Sequence, residues 1–138
     1  METRLLARRV FVVGVWLVVA SVLLQFLLAG LGIFANPALL VWHATVNGSV
    51  VALLPLLLVG VGLAGRVPAR TLWLTAAVPG LVIVQSLLLL PYRLDLPAPL
   101  RAIAGLHVLN ALLIFWVALG LLEKARSLAP DLEPHHSV

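Results

Sequence analysis

Cysteine is missing from all 138 residues. Its absence excludes disulfides, thiolate metal sites and iron–sulfur clusters. Charge is nearly as scarce: Asp, Glu, Lys and Arg make up 10% of the chain, against about 25% in ordinary soluble domains. Alternation of apolar and polar residues is lacking too, and with it the signature of a half-buried strand. What remains is 63% hydrophobic, with a mean hydropathy of +1.18. A soluble chain of this length has no interior large enough for that much apolar surface, so the solvent must be lipid. The isoelectric point near 11.2 does not indicate nucleic acid as a partner, because the basic residues lie at the ends of apolar runs. Arginine appears eight times and lysine once, a usage that hints at a bacterial source.

Charge-free runs mark four spans, at about 10–34, 37–64, 71–90 and 102–122. Each meets the roughly 20 residues that a helix needs to cross the hydrocarbon core. Helices are the form expected, because they satisfy their backbone polar groups internally. The connections "ANP", "GRVPAR" and "PYRLDLPAPLR" are short enough to force antiparallel neighbours. The expected fold is therefore all-α, a transmembrane four-helix up-down-up-down bundle, with one domain over 1–126. The remainder, 127–138, is polar and broken by proline and reads as a disordered cytoplasmic tail. Its His135–His136 pair reads as incidental rather than as a metal site. The opening "METRLLARR" and its apolar run suggest a signal peptide, but the run far exceeds the roughly 7–15 residues of a signal core. It is expected to be retained as the first helix.

Basic residues set the orientation. Arg4, Arg8, Arg9, Arg66, Arg70, Lys124 and Arg126 fall on one side, and Arg93 and Arg101 on the other. Seven against two places both termini in the cytoplasm of a bacterial plasma membrane. Trp42, Trp73 and Tyr92 stand near span ends, where aromatic belts form.

Against this apolar background, "WHATVNGSVVALL" and "GLHVLNALLIFW" each place a histidine and an asparagine within one helical turn. A rise of 1.5 Å per residue puts His43 and His107 each roughly 9 Å inside the outer end of its span. Gln25 lies roughly 13 Å, and Gln85 about 8–9 Å, from the same face. Asn47 and Asn110 follow their histidines by four and three residues, one turn deeper on the same face. The order glutamine, loop, histidine, asparagine, small residue, apolar run occurs twice, as a helix-pair repeat about an axis along the membrane normal. The second and fourth helices then stand diagonally, with two imidazoles opposed at equal depth.

Ionisable residues inside a membrane mark functional sites by default. Two opposed imidazoles suit a six-coordinate haem b, with His43 and His107 as axial ligands to the iron. Asn47, Asn110, Gln25 and Gln85 are candidates to orient the ring N–H groups. Gly30, Gly32, Gly48 and Gly105 would let a porphyrin edge approach the backbone. Arg93, Arg101 and Tyr92 are placed to receive the propionates. Other readings exist for the same residues. Buried His, Asn and Gln also serve as interhelical glue. Gly14, Ser21, Gln25 and Gly32 read first as a close-packing seam. Pro55 and Pro79 read as kinks, and Phe115 and Trp116 as packing or lipid contacts.

Two helix pairs with a histidine near the outer end of the second and fourth helices resemble one half of haem A synthase. That resemblance covers the fold, His43 and His107. It implies that this pair binds haem b. The acidic residue used in that enzyme's catalytic half has no counterpart here, since Asp95 is the sole acid on the outer side; haem A synthesis by this chain is not expected. The stretches "QFLLAG" (Gln25–Gly30) and "LH-N-A" (Leu106–Ala111) also resemble an uncharacterised family of small four-helix bacterial membrane proteins, over nearly the whole chain.

The leading expectation is a small membrane cytochrome of b type, serving electron transfer or haem handling. It would work alone, as a homo-oligomer, or with a redox partner in a larger membrane complex. No catalytic acid, base or nucleophile set is visible, so a carrier is expected rather than an enzyme. The alternatives are a cofactor-free accessory subunit and a small-solute transporter or channel-like oligomer. The apolar inner half of the bundle offers the last no continuing polar path.

Overall fold

A computed structural model describes residues 2–128. The expected tail and its histidine pair therefore lie outside the described residues, apart from Ser127 and Leu128, which form a turn. Leu128 is buried. Four helices are long and apolar enough to cross a membrane: α1 (Glu2–Phe34), α2 (Leu39–Ala64), α3 (Ala69–Arg93) and α4 (Ala98–Arg126). No strand occurs among the described residues. α1, α3 and α4 run past the charge-free stretches that mark them, whereas α2 lies within its own. α1 begins at Glu2 rather than near residue 10, because Arg4 and Arg8 both donate to the carbonyl of Gly65, at 3.4 and 3.0 Å. Those guanidinium groups cap the C-terminus of α2, where the helix dipole favours cations.

α1 packs on α2 and α4, and α3 packs on the same two helices. The helices thus form a ring in chain order, with α2 and α4 on one diagonal. The larger part of the core is apolar: Phe11, Val15 and Val18 of α1 cluster with Leu58 of α2, Val78 of α3, and Ala118 and Leu121 of α4. Close approach in the α1–α2 seam depends on glycine. A Cβ at Gly14 would meet the side chain of Leu58, and one at Gly32 that of Leu40. This bears out the close-packing seam. It also redirects Gly32, which faces α2 rather than an opening for a cofactor. Gly30, Gly48 and Gly105 face open space. The outer surface carries exposed Leu, Val, Ile and all four tryptophans, as a lipid-facing surface requires.

The two loops at the ends of α2 and α3 are built alike. Arg66 and Asp95 adopt left-handed φ values of 52° and 49°. Val67 N–H bonds to Gly62 O at 2.9 Å and Leu96 N–H to Pro91 O at 3.1 Å. These are the six-to-one bonds of the Schellman motif, which satisfy the last helical carbonyls. Proline at 68 and 97 then starts the next helix, where its missing N–H costs nothing.

α2 is not regular. After Leu39–Val46 it widens into a π turn at Asn47–Val51 and resumes as an α-helix over Ala52–Ala64. Pro55 lies four residues beyond Val51; it cannot donate to Val51 O and its ring would crowd that carbonyl. A wider turn at this point relieves the conflict, and such turns recur at functional sites. α4 carries its irregularity before its histidine, as a short 3₁₀ segment at Ala102–Gly105.

Candidate functional site

The imidazoles of His43 (α2) and His107 (α4) face each other near the end of the bundle opposite the arginine-rich termini. Their ring centroids are 6.5 Å apart, with 54° between the planes. Each ring is held from the preceding helix. His43 Nδ1 lies 3.1 Å from Gln25 O, and His107 Nδ1 lies 3.2 Å from Gln85 O. A carbonyl can only accept, so the contact with Gln85 O places the His107 ring proton on Nδ1 and leaves its Nε2 bare, and the Gln25 carbonyl favours the same tautomer at His43. Thus backbone carbonyls at the two glutamines hold the imidazoles, and at His43 the Gln25 side-chain amide, one of the expected orienting groups, stands beside the same ring nitrogen. Only composition and spacing are visible in a sequence, and a backbone acceptor has neither.

The carbonyls become available in different ways. α3 loses its regular ladder after Leu87, and Leu89 N–H turns back to Ser86 O at 3.3 Å. This leaves Gln85 O at a helix end, where carbonyls lack intrahelical partners. Gln25 sits mid-helix in α1, so its carbonyl takes His43 on a second lone pair.

The glutamine side chains are buried and do further work. The Gln25 amide is satisfied when its nitrogen faces α2. It then donates to His43 O at 2.9 Å, while its oxygen accepts from Asn47 N–H at 3.1 Å. Asn47 N–H also keeps its helical bond to His43 O, so the side chain adds a second pair of contacts to that bond at the start of the π turn. The same nitrogen lies 2.9 Å from His43 Nδ1, so this ring nitrogen has a donor as well as an acceptor beside it. In the other pair, Asn110 Nδ2 donates to Leu81 O at 3.0 Å and to Gln85 Oε1 at 2.5 Å. Asn110 is therefore committed to α3. The side-chain amide of Asn47 has no partner among the described residues and lines the space between the helices.

Two cavities flank the histidine pair. One, of about 130 Å³, is lined largely by apolar side chains of α1 and α4, among them Val22, Phe26, Ala29, Val108, Ala111 and Ile114. The other, of about 110 Å³, lies towards α2 and α3 and includes Gly48, Ser86, Leu89 and Arg93. His43, Asn47, Gln85 and His107 border both. Phe26 and Phe115 meet edge to face at 5.9 Å between α1 and α4, which gives Phe115 a packing role. Trp116 is exposed on the outer surface. Of the other candidates, Arg93 reaches the second cavity, whereas Arg101 pairs with Asp95 at 3.0 Å. Tyr92 is exposed and lines neither cavity.

Two metal–nitrogen bonds of about 2 Å, with the imidazole half-widths beyond them, put the centres of two trans ligands about 6 Å apart. The observed separation fits that arrangement. No cluster of three or more His, Cys, Asp or Glu residues with metal-binding geometry occurs among the described residues. The pair therefore suits a metal that arrives with equatorial ligands of its own. Each cavity by itself is smaller than the roughly 300–1,000 Å³ of typical ligand pockets. A macrocycle would have to occupy both cavities and the gap between the rings.

The fold and the site define a multi-pass membrane protein whose four-helix bundle carries paired histidines on diagonal helices. Residues 25–91 match the model of a family described as "Family of unknown function (DUF6220)". The matched stretch opens at Gln25, contains His43, Asn47 and Gln85, and stops before His107. No curated protein and no solved structure matches the chain.

Proposed function

We propose that the protein is a small b-type cytochrome that holds one haem between α2 and α4, with His43 and His107 as axial ligands. The observation that carries the reading is the pair of imidazoles at 6.5 Å, each with Nδ1 on a backbone carbonyl. That contact holds each ring and favours the tautomer whose Nε2 is free to take a metal. Haem bound in this way supplies reversible one-electron chemistry, and two axial protein ligands leave no open position for a substrate. The role is electron transfer or haem handling. The protein acts alone, as a homo-oligomer, or beside a redox partner in a larger complex. The excess of arginine at the opposite end supports an orientation with both termini in the cytoplasm and the haem near the outer face of a bacterial plasma membrane.

The test is the visible spectrum of the detergent-purified protein, supplied with haem b, oxidised and then reduced with dithionite. The reading predicts a Soret band with sharp reduced α and β bands. A colourless protein under these conditions contradicts it. A second reading, in which the polar layer only joins helices, draws on the fact that Asn110 and both glutamines are committed to neighbouring helices. It predicts no colour.

A further inference from the structure

The two cavities beside the histidines differ in chemistry. The one between α1 and α4 is walled by valine, alanine, isoleucine and phenylalanine, apart from the polar residues it shares with the other. The second adds Ser86 and Arg93. Arg93 stands at the end of α3, in the helical turn Leu90–Arg93, and has no carboxylate partner among the described residues. The nearby acid, Asp95, is taken by Arg101. Arg93 and Arg101 thus look equivalent in the sequence but differ in the structure: one faces the histidine pair with its charge uncommitted, and the other is neutralised away from it.

We propose that this polarity orients the bound group. Its apolar edge lies towards α1, in the cavity shared by α1 and α4, and its carboxylate edge lies towards α3, in the cavity shared by α2 and α3, where the Arg93 guanidinium receives a propionate. The proposal rests on the haem reading above. Guanidinium and carboxylate form the strongest class of charge-assisted hydrogen bond, and the turn position of Arg93 lets that pair sit at the membrane surface, where charge is tolerated. Arg101 and Tyr92 take no part.

The test compares haem b with its dimethyl ester, which keeps the iron and macrocycle but carries no carboxylate charge. Each is titrated by absorbance into detergent-purified full-length protein, into Arg93→Gln and into Arg101→Gln. The proposal predicts that Arg93→Gln weakens haem b binding about tenfold and leaves binding of the ester unchanged. Arg101→Gln changes neither. Retained ester binding also shows that the variant is folded. The proposal is overturned if Arg93→Gln binds haem b as tightly as the natural chain, if it loses both ligands equally, or if Arg101→Gln has the same effect. In each of these cases a six-coordinate spectrum in the natural chain leaves the haem reading standing. If neither macrocycle gives that spectrum, the haem reading fails and takes this proposal with it.

Discussion

The first helical hairpin, α1–α2, and the second, α3–α4, reach the same result by different means. Both hold a histidine Nδ1 on a glutamine carbonyl of the preceding helix, at 3.1 and 3.2 Å. In the first, the glutamine side chain bonds the backbone of α2 at the start of a π turn, and the Asn47 side chain is left uncommitted. In the second, the backbone is freed by a helix end, and Asn110 fastens α4 to α3. The seams differ as well. In the first hairpin Gly14, Gly32, Gly62 and Gly65 stand against neighbouring atoms while Gly30, Gly48 and Gly60 face open space; in the second, Gly80, Gly105 and Gly120 all face open space. What the hairpins share is the placement of the imidazole. The rest varies, which is the pattern expected if the ring position is what function requires.

Substitutions can break or sharpen this contrast. The largest stability effect is expected at Gly62, where a Cβ would meet Leu72 and the ring of Phe11. Gly62→Val should cost about 1–3 kcal/mol through overpacking, while Gly120→Val in the other hairpin should stay within about 0.5 kcal/mol. Thermal unfolding in detergent reads both, and equal losses would erase the distinction between the seams. Next comes Asn110→Leu, which strands the Gln85 oxygen in an apolar interior. A loss of about 1–2 kcal/mol is expected. Phe26→Ala removes the edge-to-face contact with Phe115, worth about 0.5–1.5 kcal/mol beyond its buried area. Asn47→Leu should be the mildest for the cofactor-free protein, within about 0.5 kcal/mol, because its side chain bonds to nothing described. Stability measurements on the two asparagine variants side by side would show whether Asn47 is as free as its geometry indicates.

Much of the fold was legible because lipid imposes a simple rule. Long charge-free runs must be helices, and short loops make them antiparallel. The common depth of His43, His107, Gln25 and Gln85 was legible too, since rise per residue converts sequence position into height. The π turn was not. Pro55 signals a local conflict, but a kink, a bulge and a wider turn all relieve it. The unlike fates of Asn47 and Asn110 were equally hidden, because a spacing of four or three residues puts both on the histidine face without saying which neighbour each one meets. Arg93 and Arg101 could be told apart only once Asp95 had chosen between them.

The central claim is that imidazoles from diagonal helices share one metal. Low-temperature electron paramagnetic resonance of the ferric, haem-loaded protein tests it most directly, because the signal reports the axial ligands of the iron. The account predicts a low-spin spectrum of the bis-imidazole type, converted to high spin or lost in both His43→Ala and His107→Ala. A high-spin natural protein, or a low-spin signal that survives either substitution, would contradict it.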